Sequence, residues 1–284
     1  MNIAFQGETG AYSEEAVSAL YPDGIAVPYP SFDAVFEAVA TGQADRAVIP
    51  IENSLYGSVH QNYDLLREHD LRIRAEVQLR IRHQLLSVHG SSLQSIQTVL
   101  SHPQALGQCR EFLKSNLPNA TVVSAYDTAG AAKLVAESAD VSRAAIASRA
   151  AATEYQLQTL ASDIESNHEN YTRFLALARP EDHVPEKLHS DESESEMKTS
   201  VLYAQSENVP GSLFKSLAVF ALRDIDLLKI ESRPLVGSPG KYIFYLDLLG
   251  HETDERVKNA LHHLNEVAAT VSLLGSYRTG RFID

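Results

Sequence analysis

Arg72-Ile73-Arg74-Ala75-Glu76-Val77-Gln78-Leu79-Arg80-Ile81 alternates strictly, with apolar residues at 73, 75, 77, 79 and 81 and charged or polar ones between. A period of two marks a strand that buries one face. The stretch belongs to an extended run over 71–89 that separates two series of strand and helix patterns. In the first, strands at 2–5, 26–29 and 47–51 alternate with helices at 13–20 and 32–40. The second helix has Val35, Phe36 and Val39 at helical spacing, and Ser31 stands where an N-cap belongs. In the second series, strands at 99–101, 121–124 and 144–147 alternate with helices at 104–117 and 129–137. The alternating stretch therefore carries the chain from one α/β lobe to another. Two such lobes leave a cleft, where small anionic ligands bind.

A third extended segment begins at Thr172-Arg173-Phe174, which opens the apolar run Phe174-Leu175-Ala176-Leu177-Ala178. It reads as a short buried strand, with Thr172 and Phe174 on one face and Arg173 on the other. A buried arginine cannot shed its proton and needs an anion, and a carboxylate fits its fork. Residues 181–198 then carry seven acidic residues against two lysines, a net charge of −5. That composition buries too little to offset its ordering entropy, so it reads as a solvated linker. Beyond it the pattern changes to strands at 200–204, 228–232, 242–248 and 269–274, with helices at 211–222 and 254–268. The order βαββαβ describes a ferredoxin-like unit. The expected organisation is a two-lobed region over 1–180 (lobes at 1–80 with 155–180, and at 81–154), a linker over 181–198 and a small α+β domain over 199–284.

The net charge of −13 over 284 residues argues against nucleic acid or an anionic membrane as partner, since both want a basic face. No apolar run approaches a membrane span. Met1-Asn2-Ile3-Ala4-Phe5 enters a strand directly, without the charged region and apolar core of a leader. Cys109, the single cysteine, rules out an internal disulfide. The expected compartment is the cytoplasm.

Several segments have the composition of ligand sites. Gly7-Glu8-Thr9-Gly10-Ala11-Tyr12-Ser13 links a strand to a helix, and its glycines let backbone approach a ligand while the helix start offers N–H groups to an anion. A tight turn with Ser13 as N-cap explains it equally well. Glu52-Asn53-Ser54 follows a buried strand, where α/β sheets place ligand contacts, although Asn and Ser also simply favour turns. In Ser101-His102-Pro103-Gln104, Pro103 pre-sets a helix start, and Gln104 and Gln108 share a face of the helix with Ser101 facing the same cleft. Cys109 reads as a small buried hydrophobe, and His262-His263 as surface. Past the linker, Asn208-Val209-Pro210-Gly211-Ser212-Leu213 opens a helix, and Glu231-Ser232-Arg233-Pro234 ends a strand with an acid and a base.

Together these segments resemble the prephenate dehydratase family, in the family's order and over nearly the whole chain. The resemblance rests on Gly7 to Ser13, Pro50 to Val59, Ser101 to Cys109, Thr172-Arg173-Phe174, Gly211-Ser212-Leu213 and Glu231-Ser232-Arg233-Pro234. The family usually has Gly-Ala-Leu at the fifth of these, and a small polar residue where this chain has Asp127. The resemblance implies a catalytic region with periplasmic-binding-protein topology and a C-terminal ACT domain, a ferredoxin-like amino-acid sensor. With no mutase segment ahead of Met1, the monofunctional form is expected.

The implied reaction is the decarboxylative dehydration of prephenate to phenylpyruvate, which needs no metal or organic cofactor because aromatisation drives it. The resemblance gives Thr172 the donor role at the leaving hydroxyl and has Arg173 hold the pyruvyl carboxylate or polarise the site, beside Phe174. Asn53, Ser54, Ser101, Gln108 and Thr128 would supply neutral hydrogen bonds, Glu52 would orient neighbours, and Thr9, Gly10 and Ser13 would bind substrate. L-phenylalanine would bind Asn208, Pro210, Gly211, Ser212 and Leu213 of one subunit and Glu231, Ser232 and Arg233 of another. That implies a homodimer through the ACT domains or a dimer of dimers. Arogenate dehydratase and a two-lobed ligand sensor without chemistry are the alternatives.

Overall fold

The computed structural model describes residues 1–182, 196–205, 207–235 and 237–284. Residues 183–195 of the expected linker lie outside the described residues. The chain divides into two compact units, one of Met1–Leu65, Val77–Leu175 and Phe282–Asp284, the other of Leu66–Glu76 and Ala176–Arg281.

In the first lobe of the first unit, β1 (Asn2–Gln6), β2 (Ile25–Tyr29) and β3 (Arg46–Asn53) alternate with α1 (Tyr12–Leu20) and α2 (Phe32–Ala40). A short β4 (Gly57–Ser58) and α3 (His60–Glu68) follow. β5 (Arg72–Arg80) is the alternating stretch, and Ile73, Ala75, Val77, Leu79 and Ile81 are all buried, as the period of two requires. The second lobe holds β6 (Gln84–Ser87), β7 (Thr98–Ser101), α4 (Pro103–Gln108), α5 (Arg110–Asn116), β8 (Thr121–Ser124), α6 (Thr128–Ser138), β9 (Arg143–Ala147), α7 (Arg149–Glu154) and β10 (Gln158–Ala161). β11 (Tyr171–Ala178) returns to the first sheet, where Phe174, Leu175 and Leu177 are buried at roughly 1.5–3 kcal/mol each.

The first sheet runs β16-β5-β11-β3-β1-β2 with β4 on β3, where β16 is Phe282–Ile283; the second runs β10-β6-β9-β7-β8. Parallel pairing of β1 with β2 and β3, and of β7 with β8 and β9, brings strand ends and helix starts to one edge in each lobe.

The second unit holds β12 (Met197–Gln205), α8 (Ser212–Ala221), β13 (Leu227–Pro234), β14 (Tyr242–Leu249), α9 (Glu255–Val267) and β15 (Ala268–Arg278). Its antiparallel sheet has the order β13-β14-β12-β15, the ferredoxin-like arrangement of βαββαβ. Val201, Tyr203, Phe220, Leu246 and Leu264 pack its core. Glu76, on the polar phase of β5, is buried as well and pairs with Lys198 Nζ at 2.6 Å in this unit. Lys198 is thus a buried strand residue rather than linker.

Of three local expectations one holds and two change. Ser31 does cap α2 by accepting Ala34 N–H at 3.2 Å, worth about 1 kcal/mol. Ser13 does not cap α1: the helix starts one residue earlier behind Ala11, and Ser13 is buried in its first turn. The turn enters the helix early because Gly10, at φ +88°, lets Glu14 reach back to its N–H at 2.5 Å. The expected single helix over 104–117 is two, broken at Cys109, where the Gln108 carbonyl accepts Ser166 N–H at 2.9 Å. Among the described residues no helix is long and apolar enough to cross a membrane.

Candidate active site

A cavity of about 390 Å³ opens between the two lobes of the first unit. Its walls are helix starts and strand ends: Tyr12 and Ser13 of α1, Phe32 of α2, Thr128 of α6, Asn53 of β3, and Thr172 and Phe174 of β11. Among the described lining residues there is no lysine or arginine. Positive potential comes instead from the N-terminal ends of α1, α2 and α6, each about half a charge. The lobes are latched across it. Ser148 Oγ donates to Gly10 O at 2.6 Å, Tyr155 Oη to Thr9 O at 2.8 Å, and Tyr56 Oη to Gln104 O at 3.2 Å. Tyr126 Oη donates to Pro30 O and accepts from Gln6 Nε2 at 3.1 Å. Lys133 pairs with Glu8 at 3.0 Å. A side chain at Gly10 would strike the Ala151 backbone at 2.7 Å, so the close approach of the lobes requires glycine there.

Thr172 ends a continuous chain of hydrogen bonds. Asn53 Oδ1 accepts the N–H groups of Leu55 and Tyr56, each at 3.0 Å, which turns its amide nitrogen toward β11. That nitrogen donates to Thr172 Oγ1 at 3.0 Å and to Asn170 Oδ1 at 2.9 Å. Gln108 Nε2 donates to the same Asn170 oxygen at 3.3 Å, leaving its Oε1 2.6 Å from His83 Nε2. With Gln108 Oε1 facing it, His83 Nε2 carries the ring proton, and Tyr12 Oη shares its single proton between His83 Nδ1 at 2.9 Å and Arg82 O at 2.8 Å. Thr172 Oγ1 is already an acceptor in this chain, so its own proton is left to donate.

Burial fixes the charge states. It pushes the His83 imidazole below its ordinary value, against the opposing pull of Gln108 and Glu165. It does the same to His102, whose Nδ1 caps α4 by accepting Gln104 N–H at 3.3 Å. Both are neutral near pH 7. Burial raises the Asp127 carboxyl, which caps α6 by accepting Gly130 N–H. It raises the Cys109 thiol far beyond its ordinary value, so this cysteine is no nucleophile.

The model of the prephenate dehydratase family matches residues 3–182, the stretch that builds this cavity. The chain belongs to the prephenate dehydratase family. Like the family it is an enzyme, a carbon–oxygen lyase. It is 47% identical over 287 residues to arogenate dehydratase/prephenate dehydratase 2, chloroplastic, of Arabidopsis thaliana, covering 98% of this chain and 72% of that protein. The prephenate dehydratase of Arthrobacter aurescens, solved in complex with L-Phe, superposes with a TM-score of 0.89 at 34% identity over 98% of this chain and 90% of that one. A structure described as GqqA, a novel type of quorum quenching acylase, superposes with a TM-score of 0.87 at 32% identity over 99% and 98% of the two chains.

Of the residues singled out in the sequence, this dehydratase brings Ser13, Asn53, Gln108, Thr128, Thr172 and Phe174 to the cavity. Others lie elsewhere. Ser101 is fully buried and donates to Ile146 O at 2.6 Å. Ser54 ties β3 to β11 by donating to Glu169 O at 2.8 Å and accepting Tyr171 N–H at 3.0 Å. Thr9 and Gly10 line a different cavity, with Glu14 and Glu154. Glu52 and Arg173 are half-buried and do not line the site, and alternation turns Arg173 to the face away from Thr172. In the second unit Gly211, at φ +84°, is the N-cap of α8, with open space where a side chain would stand. Glu231, Ser232 and Arg233 lie on β13, the edge strand of its sheet.

Tyr12, His83 and Asn170 were not singled out. His83 carried a signal, since it occupies the apolar phase of the alternation after Ile81. Asn170 carried none beyond standing two residues before Thr172.

Proposed function

We propose that this chain converts prephenate to phenylpyruvate, carbon dioxide and hydroxide, and that L-phenylalanine restrains it. The observation that carries the proposal is the Asn53 amide donating to Thr172 Oγ1, which frees the threonine proton. Thr172 donates that hydrogen bond to the ring hydroxyl as the carbon–oxygen bond breaks. The electrons of the carbon–carboxylate bond flow into the ring, and carbon dioxide leaves. Helix starts hold the pyruvyl carboxylate, and the neutral walls beside the departing carboxylate avoid stabilising the ground state. Arg173, on the back of β11, orients the strand in this scheme and does not touch substrate. Glu52 and Ser54 orient Asn53 and β11, and buried Ser101 supports the strand end beneath the site. The partner of Thr172 is an amide rather than a base, which favours donation over nucleophilic attack and so does not favour acyl transfer. The direct test is turnover of prephenate by Thr172→Ala, which should fall below wild type by about 10²- to 10⁴-fold.

A second substrate has an observation in its favour. Asp127 is the one carboxylate among the described lining residues, and it suits the ammonium of arogenate better than the keto group of prephenate. The Arabidopsis relative carries both activities in its name. Comparing kcat/KM on the two substrates tests the order of preference.

The Arthrobacter complex with L-Phe supports an effector site in the second unit. The start of α8 behind Gly211 suits a carboxylate, and Glu231 an ammonium. Within one chain β14 separates β13 from β12, the strand leading to α8, so an effector touching both belongs between subunits. Exposed Leu228 and Ile230 on this edge strand favour a dimer there. Equilibrium dialysis with labelled L-phenylalanine and sedimentation velocity test the two parts.

A further inference from the structure

Phe282–Asp284 belong to the catalytic unit, although the chain reaches them only after β15, with residues 279–281 between. There β16 pairs in parallel with β5, Phe282 beside Gln78 and Ile283 beside Leu79. Two contacts of different chemistry then meet on Tyr171, the residue before Thr172. The Phe282 ring stands edge-on to the Tyr171 ring, centroids 5.3 Å apart at 87°. Tyr171 Oη donates to Asp284 Oδ1 at 3.3 Å. The same oxygen faces Arg80 at 3.6 Å and Arg82 at 3.9 Å. Arg82 precedes His83, and its carbonyl, 2.8 Å from Tyr12 Oη, shares that hydroxyl's proton with His83 Nδ1. The segment thus grips the immediate neighbours of both Thr172 and His83, the two ends of the Asn53–Asn170–Gln108 relay. The Tyr171 backbone is held by the same machinery, its carbonyl accepting Ser54 N–H at 2.8 Å and Asn53 Nδ2 at 3.2 Å.

On the reading of Thr172 as the donor, we propose that Phe282 and Asp284 are positioning residues that set the Thr172–Asn53 geometry from behind, through Tyr171. Side chains alternate along β11, so a grip on Tyr171 acts on the face opposite the substrate and leaves the cavity wall untouched. The carboxylate contacts are long and the Asp284 side chain is 69% exposed, so the grip is weak, salt-sensitive and releasable.

The test compares the full chain with a chain ended after Arg281, Phe282→Ala, Phe282→Tyr and Asp284→Asn, with Thr172→Ala as reference. Loss of the segment is expected to lower kcat for prephenate about tenfold while KM stays within about twofold, because misplacement by a fraction of an ångström costs rate rather than binding. Phe282→Tyr, which keeps the ring edge, should restore kcat where Phe282→Ala does not. Wild-type kcat should fall between about 20 mM and about 500 mM salt, and Asp284→Asn should flatten that dependence. If the shortened chain does not fold, as judged by circular dichroism, the single substitutions read the same kcat. Wild-type kcat in the shortened chain or in both Phe282→Ala and Asp284→Asn, or a rise in KM at unchanged kcat, overturns the proposal while leaving an inactive Thr172→Ala in place. Turnover by Thr172→Ala instead removes the donor reading itself.

Discussion

Asn53 Nδ2 lies 3.0 Å from Thr172 Oγ1 and can only donate to it, because backbone N–H groups of Leu55 and Tyr56 occupy the other end of the Asn53 amide. One side chain thereby fixes the direction of another's proton. Asn53→Asp is the sharpest probe: a carboxylate still accepts the two backbone N–H groups, but it takes the Thr172 proton instead of giving one. The fold should survive, and kcat should drop by about 10²- to 10³-fold. Asn53→Ala should add a stability loss of about 0.5–1.5 kcal/mol from the two lost bonds to exposed backbone donors, read as a fall in Tm.

Asp127 supplies a specificity prediction. Asp127→Asn removes the carboxylate from the cavity wall and keeps a side-chain oxygen to cap α6. The ratio of kcat/KM for arogenate to that for prephenate should fall by about tenfold, the worth of one partly screened charge contact. An unchanged ratio would remove Asp127 from substrate discrimination.

The buried histidine gives a pH dependence whose sign is fixed. Burial lowers the folded-state value of His83 below its ordinary 6.5, so the unfolded chain binds the proton more readily. Stability from the neutral ring is complete above 6.5 and is lost as pH falls toward the folded value. Asp127, raised by burial, contributes with the opposite sign. Tm measured from about pH 7.5 down to about pH 5 should fall in wild type and fall less steeply in His83→Gln.

Much of this architecture was legible in the chain because it rests on periodicity. Strict alternation from Ile73 to Ile81 marked β5, and βαββαβ marked the second unit. What was not legible depended on pairings between distant residues. Glu76 sits on the polar phase of β5, yet Lys198, far along the chain, makes its burial tolerable. Asn170 and His83 are ordinary until the fold brings Gln108 between them. Arg173 invites a substrate carboxylate on composition alone, but the alternation that marks the strand turns it from the Thr172 face. Ser101 looks like a cleft residue until its hydroxyl is spent on Ile146 O.

The Glu76–Lys198 pair carries a stability prediction for the second unit. Lys198→Met leaves the buried Glu76 carboxylate with the Gly280 N–H at 2.9 Å but without its ammonium, and should cost about 3–5 kcal/mol, whereas Glu76→Gln with Lys198→Met should recover part of that loss. Urea denaturation of the two variants and the double variant measures the coupling directly.

The most direct test of the central claim is to incubate the purified protein with prephenate and follow phenylpyruvate absorbance in base, for wild type and for folded Thr172→Ala. The account predicts product from wild type and about 10²-fold less or lower from the variant. Equal product from both would contradict it.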